Sequence, residues 1–292
     1  MIPVSVIITT RNEAENLGRT LESIAGWVDE IFVLDSDSSD DTVEIARRHA
    51  QVTNLPYKHG SIIPWIFDWG LKNLPLRNEW VLILEADQRP DADLKRSLEA
   101  LFARPSIAEN GFDLRRKQIF RGSWIRFGGY GSKRMLKLFR RSQGEIDPKE
   151  EDARVYVRGA IGELEGWLVE ENVKEERILF YLEKHLRYAD AFAREELERR
   201  DAGFQWKGKA RLFGTHDERT LWQKSMYYRT PLYLRPWIYF IYRYFFLLGI
   251  LDGKQGFIFH FLQAYWFRLI VDIRLEEMMR ERADRRDDRP RS

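Results

Sequence analysis

Residues 3–8, PVSVII, form a β-branched run of the length of a buried parallel strand. Polar Thr9 to Glu13 interrupt it, and from about Ala14 the apolar positions Leu17, Leu21 and Ile24 recur at helical spacing. A second strand, Ile31 to Leu34, delivers Asp35, with Asp37, Asp40 and Asp41 close behind and a helix starting near Thr42. A third, Trp80 to Leu84, runs straight into Glu85, Asp87, Asp91 and Asp93, before helical spacing resumes over Ala92 to Phe102. Residues 112–139 read as shorter β-like or loop segments, VYVRGAIGELEGWLV as strand and turn, and residues 174–202 as a charged helix. On that helix His185 reads as a packed or surface residue rather than a metal ligand.

Strand, polar turn and helix in alternation predict an α/β sheet, in which ligands sit outside the carboxyl ends of the strands. Asn12, Ser38 and Asp40 read equally well as helix caps. Capping does not explain four aspartates between residues 35 and 41, whose mutual repulsion calls for donors or a cation. Glu85 and Asp87 are two residues apart, so in an extended segment both carboxylates point to one side. Such a pair suits a hard divalent cation that keeps positions open for water and substrate phosphates.

From Pro231 to Leu251 and again from Gly256 to Ile273 the chain is rich in Trp, Tyr and Phe, yet Arg243, His260, Gln263 and Arg268 interrupt it. A spanning helix needs about 20 mainly apolar residues. These segments fit a membrane surface better, with a helical hairpin on the α/β domain or a dimer partner as the other reading. A mixed-charge tail expected to fray begins near Arg280. The expected division is therefore 1–215 for the α/β domain and 216–292 for a helical C-terminal region.

With 292 residues the chain has room for both parts. A net charge of +2 sets up no global field toward nucleic acid. Between Leu114 and Gly144 there is no Asp or Glu, while Arg115, Arg116, Lys117, Arg121, Arg126, Lys133, Arg134, Lys137, Arg140 and Arg141 all fall there. That block suggests an anionic partner, phosphate or a lipid headgroup, or else a solvated basic face. The absence of cysteine excludes disulfides, thiolate zinc sites and a cysteine nucleophile. No basic segment precedes the first apolar run, so a cytoplasmic protein without a secretory signal is expected.

Six segments in order resemble the family 2 glycosyltransferases of GT-A fold, particularly the bacterial branch that extends lipopolysaccharide core and other envelope glycans. TTRNEAENL resembles T-x-N-E-x-x-N-L/I, VLDSDSSDDT resembles V-D-D/S-G-S-x-D-G-T, and WVLILEADQRP resembles W-V/L-L-x-L-D-A-D-E. LKLFRR at 136–141, GAIGELEG at 159–166 and LDGKQGF at 251–257 are similar to R-L-F-R/K, G-x-V/I-G-x-L-x-G and D-G-x-x-G-F elements. The resemblance implies a GT-A sheet and an inverting, metal-dependent transfer of a sugar from a nucleoside-diphosphate donor, UDP-linked in that branch. The acceptor would be a lipid-linked or envelope glycan at the cytoplasmic face of the membrane, and the C-terminal region could support a homo-oligomer. Thr10, Asn12, Glu13, Asp35 and Asp37 would hold base and ribose, and Asp87 with Glu85 would reach magnesium or manganese on the diphosphate. The branch's His-Glu pair aligns with Asp152 and Ala153, which leaves Asp152 and then Glu151 as the expected base, and a later histidine is replaced by Glu170. Asp37 stands where the family has glycine. The loss of the pair also admits a non-catalytic GT-A-like scaffold subunit.

Overall fold

The computed structural model describes residues 1–56, 63–146, 155–203, 210–213 and 216–287. Two compact units, Met1–Ile178 and Leu179–Ser292, divide the chain.

The first unit runs β1 (Ile2–Thr10), α1 (Ala14–Ile24), β2 (Val28–Asp35), α2 (Thr42–Arg47), β3 (Gln51–Asn54), α3 (Ile63–Asn73) and β4 (Trp80–Glu85). It continues with β5 (Gln88–Pro90), α4 (Ala92–Phe102), β6 (Gly111–Phe120), β7 (Ser123–Ile125), β8 (Arg134–Arg140), β9 (Gly144–Ile146), β10 (Val155–Val157), β11 (Ile161–Glu163) and β12 (Leu168–Glu171). The main sheet has the order β3-β2-β1-β4-β8-β6-β12-β5, with β7 and β11 on β6, and β9 and β10 form a separate antiparallel pair. β3, β2, β1 and β4 are parallel, whereas β8 is antiparallel to both β4 and β6. The expected α/β sheet with flanking helices is present, and its parallel character belongs to the first half.

Strand alternation explains the two cores. Val4, Val6 and Ile8 pack with Leu17, Leu21 and Leu98 on one side of the sheet, and Ile7, Val81 and Ile83 with Ile66 and Phe67 on the other. Burial on both faces is why these strands read as continuous apolar runs. The segment 112–139 holds a long antiparallel pair, β6 and β8, rather than short pieces: charged side chains interrupt their apolar pattern. The last glycine of GAIGELEG has a local cause. Gly166 has φ +89°, and a Cβ there would meet the backbone nitrogen of Leu94 at 2.1 Å, so the chain crosses the start of α4 with no room for a side chain.

The second unit contains α5 (Ile178–Asp201), α6 (His216–Arg229), α7 (Leu234–Ile241), α8 (Gly253–His260) and α9 (Phe267–Asp287). A π-helical segment, Tyr242–Phe246, prolongs α7, and another, Phe261–Trp266, joins α8 to α9. Ala189, Ala193 and Leu197 on α5 pack against Phe267, Val271 and Leu275 on α9. That packing places α5 in this unit, so the division falls at Ile178 and not near residue 215. His185 is a packed residue as expected, its Nδ1 2.8 Å from the Tyr181 carbonyl and its ring stacked on Tyr181. α9 reaches Asp287, past the fraying point expected at Arg280, with Arg280 paired to Glu276 at 2.8 Å. Arg235 is buried between Glu196, at 2.9 and 2.8 Å, and Asp272, at 2.7 and 2.5 Å.

Leu234, Trp237, Ile238, Ile241, Tyr242 and Phe245 recur at helical spacing and are all exposed. Among the described residues no single helix is long and apolar enough to cross a membrane, while Leu234–Phe246 and Gly249–Asp284 form a pair bent by 72° that passes the test together.

Candidate functional site

The register of the parallel strands brings three polar strand ends together. Thr10 pairs with Asp35 on β2, and Thr9 with Glu85 on β4. Adjacent strands lie about 4.8 Å apart, so Asp35 and Glu85 flank the end of β1 within about 10 Å of each other. Thr9 and Thr10, read from sequence as loop, complete β1.

The first two turns are locked into each other. Thr10 Oγ1 donates to Asp35 Oδ1 at 2.8 Å, and Ser38 donates to the same carboxylate through its backbone N at 2.9 Å and its Oγ at 2.6 Å. Across the turns, Asn12 N donates to Ser38 Oγ and Ser39 N to Asn12 Oδ1, both at 2.8 Å. Asp40 accepts from Ala14 N at 3.2 Å, from Thr42 N at 3.1 Å and from the Thr42 hydroxyl. Asp40 thus serves the first turns of α1 and α2, as the capping alternative expected. Partial burial works against its charge, but the Thr42 and Ala14 hydrogen bonds outweigh it and hold the carboxyl below its ordinary range. Asn12 and Asp37 sit at φ +54° and +51°. The left-handed backbone at Asp37 is the physical reason for a glycine in the sequences this turn resembles.

Glu13 faces inward. Its Oε1 accepts from Lys174 Nζ at 2.6 Å and its Oε2 from Asn16 Nδ2 at 2.7 Å, while the same ammonium donates to the Asn12 carbonyl at 2.8 Å. Asn16 Nδ2 also donates to Asn172 Oδ1 at 3.0 Å, and Val173 N to Asn16 Oδ1 at 2.9 Å. Lys174 was missed in the sequence, since nothing local ties it to a turn more than 160 residues earlier.

The third turn departs from the extended geometry expected of it. β4 stops at Glu85, and Ala86 and Asp87 form a turn into β5. The Ala86 carbonyl accepts from Thr20 Oγ1 at 2.7 Å and the Asp87 carbonyl from Glu171 N at 3.0 Å. Glu85 Oε1 accepts from Lys137 Nζ and Gln88 Nε2, both at 3.2 Å. Gln88 Nε2 also donates to Glu170 Oε2 at 2.9 Å, and Arg116 pairs with Glu170 at 2.5 Å. Burial opposes the charge on Arg116, yet Glu170, Tyr130, Glu85 and Asp87 together raise its pKa. Glu171 is gripped by Arg89 and, at 2.6 Å, by Arg19.

Among the described residues no three His, Cys, Asp or Glu side chains converge as a ready ligand cluster. A hard cation at this turn would have one or two carboxylates to bind and would need further oxygen ligands from elsewhere. Glu85 carries the Lys137 ammonium, and Asp87 follows two residues on in the same turn. Asp152 and Glu151, expected as the base, lie outside the described residues.

Residues 5–108 match the family model "Glycosyl transferase family 2". An uncharacterized glycosyltransferase of Rickettsia felis is 35% identical over 107 residues, which are 35% of this chain and 35% of that protein. An uncharacterized protein of Mycobacterium tuberculosis is 34% identical over 102 residues, 32% of this chain and 25% of its own length. The chain thus matches about a third of the rickettsial relative's length. Among solved structures, glucosyl-3-phosphoglycerate synthase from Mycobacterium tuberculosis with Mn2+, UDP and glucosyl-3-phosphoglycerate aligns at TM-score 0.42 and 17% identity, over 72% of this chain and 83% of that one. Residues 1–349 of S. aureus TarS align at TM-score 0.40 and 14% identity, over 96% and 92%. The similarity to Glycosyl transferase family 2 thus falls on residues 5–108, the segment that supplies the four parallel strands and all three polar turns.

Proposed function

We propose that the protein is an inverting, metal-dependent glycosyltransferase that moves a sugar from a nucleoside-diphosphate donor, UDP-linked, to a lipid-linked or envelope-glycan acceptor. The observation that carries this reading is the convergence of Asp35, Thr10 and the Glu85–Asp87 turn at the carboxyl ends of three adjacent parallel strands, where open α/β sheets bind ligands. Asp35 and Asp37 accept hydrogen bonds from base and ribose, and Thr10, Asn12 and Glu13 shape the loop that presents them. Asp87 holds magnesium or manganese, with Glu85 beside it. When bound, the cation neutralises charge developing on the departing diphosphate. Lys137 and Arg116 add fixed positive charge next to that turn. Inversion in a single displacement requires a carboxylate to take the acceptor hydroxyl's proton as the bond to the anomeric carbon forms. Asp152, then Glu151, is assigned that step.

The exposed stripe of α7 supports peripheral attachment to the cytoplasmic face of the cell membrane, with aromatic rings at headgroup level. A homo-oligomer through the same face is its competitor. The replacement of the His-Glu pair by Asp152 and Ala153 favours one other function, a non-catalytic scaffold subunit.

A thermal-shift screen of nucleotide-sugars with and without manganese tests the donor reading, since a ligand that binds only the native state raises the melting temperature. Manganese-dependent stabilisation by a UDP-sugar, lost in Asp87→Ala, is expected; stabilisation without turnover on a broad acceptor panel identifies the scaffold. Flotation with anionic liposomes tests attachment, and a dimer that does not float assigns the stripe to a second copy.

A further inference from the structure

Within the basic block, several cations are paired to carboxylates or carbonyls, and others gather against indole rings. Arg116 pairs with Glu170, Arg134 with Glu163 at 2.8 Å, and Lys137 with Glu85. Arg140 donates to the Ile107 carbonyl at 2.9 Å and lies over Trp80, and Arg141 donates to the Leu76 carbonyl at 3.2 Å. Three of the others meet in one place. Lys117 and Arg126 stand 4.9 and 5.4 Å from the ring of Trp124, and Arg115 stands 5.8 Å from the ring of Trp167. The two indoles touch edge to face at 5.3 Å.

A second observation concerns unmet donors. In the first unit, among the described residues, the buried side-chain polar atoms without a hydrogen-bond partner are Arg116 Nε, Trp124 Nε1 and Arg134 Nη1. All three are donors; Trp124 is paired with Ile119 and Arg134 with Arg115, so these two share the strand face of Arg115 and Lys117, whereas Arg116 points to the other face. Buried donors are normally satisfied, so two orphans on that face call for a partner rich in acceptor oxygens.

The position of the cluster fits a substrate. β6 is antiparallel to β8, which is antiparallel to β4, so β6 and β4 end at the same edge of the sheet. β12, which follows Trp167 directly, pairs Val169 with Lys117, and its Glu171 N donates to the Asp87 carbonyl.

We infer that Arg115, Lys117 and Arg126, on the platform of Trp124 and Trp167, bind a saccharide bearing a phosphate or carboxylate group. The anion meets the guanidinium and ammonium donors, and the sugar ring covers indole surface. Calling this saccharide the acceptor rests on the transferase reading above; the site itself does not.

The test compares anionic and neutral sugars on the full chain by calorimetric titration: mannose 6-phosphate against mannose, and glucuronate against glucose. Each anionic sugar is expected to bind at least about tenfold more tightly than its neutral counterpart, a margin that one charge-assisted contact supplies. Lys117→Ala/Arg126→Ala removes the margin and Lys117→Arg keeps it, while stabilisation by UDP with manganese is the same in all three proteins. Equal binding within each pair, or a margin that survives the double variant, overturns the inference. Phosphatidylglycerol vesicles form a further arm. If they bind through Lys117 and Arg126 while neither sugar acid does, the platform is a headgroup site and the saccharide assignment fails. Failure of UDP to stabilise the wild-type protein sinks the donor reading and leaves the sugar comparison standing.

Discussion

Lys174 offers the sharpest check on how the turns are held. Lys174 is 6% exposed, and its ammonium makes charge-assisted hydrogen bonds to Glu13 Oε1 at 2.6 Å and to the Asn12 carbonyl at 2.8 Å. Lys174→Met keeps most of the stem packing and removes both bonds, leaving Glu13 with Asn16 alone. Hydrogen bonds to charged groups contribute about 1.5–3 kcal/mol each, and a partly buried carboxylate is deprived of its cation, so the expected cost is about 3–5 kcal/mol. In a unit of this size 1 kcal/mol moves the melting temperature by about 2–4 °C, which gives a fall of about 6–20 °C. Scanning calorimetry of the full chain measures it. Glu13→Gln in the same protein should cost less than the two single changes added together, by about 1–2 kcal/mol, because the pair is in direct contact. A fall below about 2 °C with additive singles refutes the claim that this ammonium holds the turn.

Three other outcomes follow from particular side chains. Asp37→Gly should preserve or raise the melting temperature, by up to about 1 kcal/mol of stability, and Asp37→Val should lower it, because φ +51° suits glycine and penalises a β-branched residue; the reverse order shows that other contacts decide this position. Burial alone would raise the Glu171 pKa, but Arg89 and Arg19 pull it below the ordinary 4.5, so its stabilisation is present above that pH and is lost as pH falls through the lowered native value. Glu171→Gln should therefore show a smaller loss of stability between pH 5 and pH 3 than the wild-type protein, read from urea midpoints. Arg235→Met leaves buried Glu196 with Arg200 and buried Asp272 with the Tyr233 N–H, and should cost about 3 kcal/mol, of which Asp272→Asn recovers a part; a loss under about 1 kcal/mol by urea titration means that the acids are not desolvated.

Legibility in the sequence followed contact range. β1, β2 and β4 were visible because both of their faces are apolar, and α1 and α4 because one stripe of each is. The turns after β1, β2 and β4 were found from clustered acids, but clustering could not say which acid does what. Asp40 turned out to serve helix starts, Glu13 to hold a lysine, and Glu85 to be paired with Lys137. Ala14, Lys174 and Lys137 lie 26, 161 and 52 residues along the chain from those acids. The length of β6 and β8 was hidden for a related reason. Their charged positions find carboxylates or indoles on neighbouring strands, so the alternation of apolar with polar that marks a surface strand was overwritten.

The same reasoning bears on the acid turn. Around Glu85, Asp87, Glu170 and Glu171 stand Arg116, Lys137, Arg89 and Arg19, four carboxylates against four cations. A turn whose charge is already balanced does not attract a free divalent cation strongly. An incoming diphosphate changes that balance, because its added negative charge both competes for Lys137 and Arg116 and supplies the missing oxygen ligands. Metal and donor are then expected to bind together, each weakly alone. Manganese titrated without nucleotide should leave the melting temperature nearly unchanged, and the same titration with UDP should raise it. Strong stabilisation by manganese alone would mean that the carboxylates face the cation unpaired, contrary to the pairing of Glu85 with Lys137.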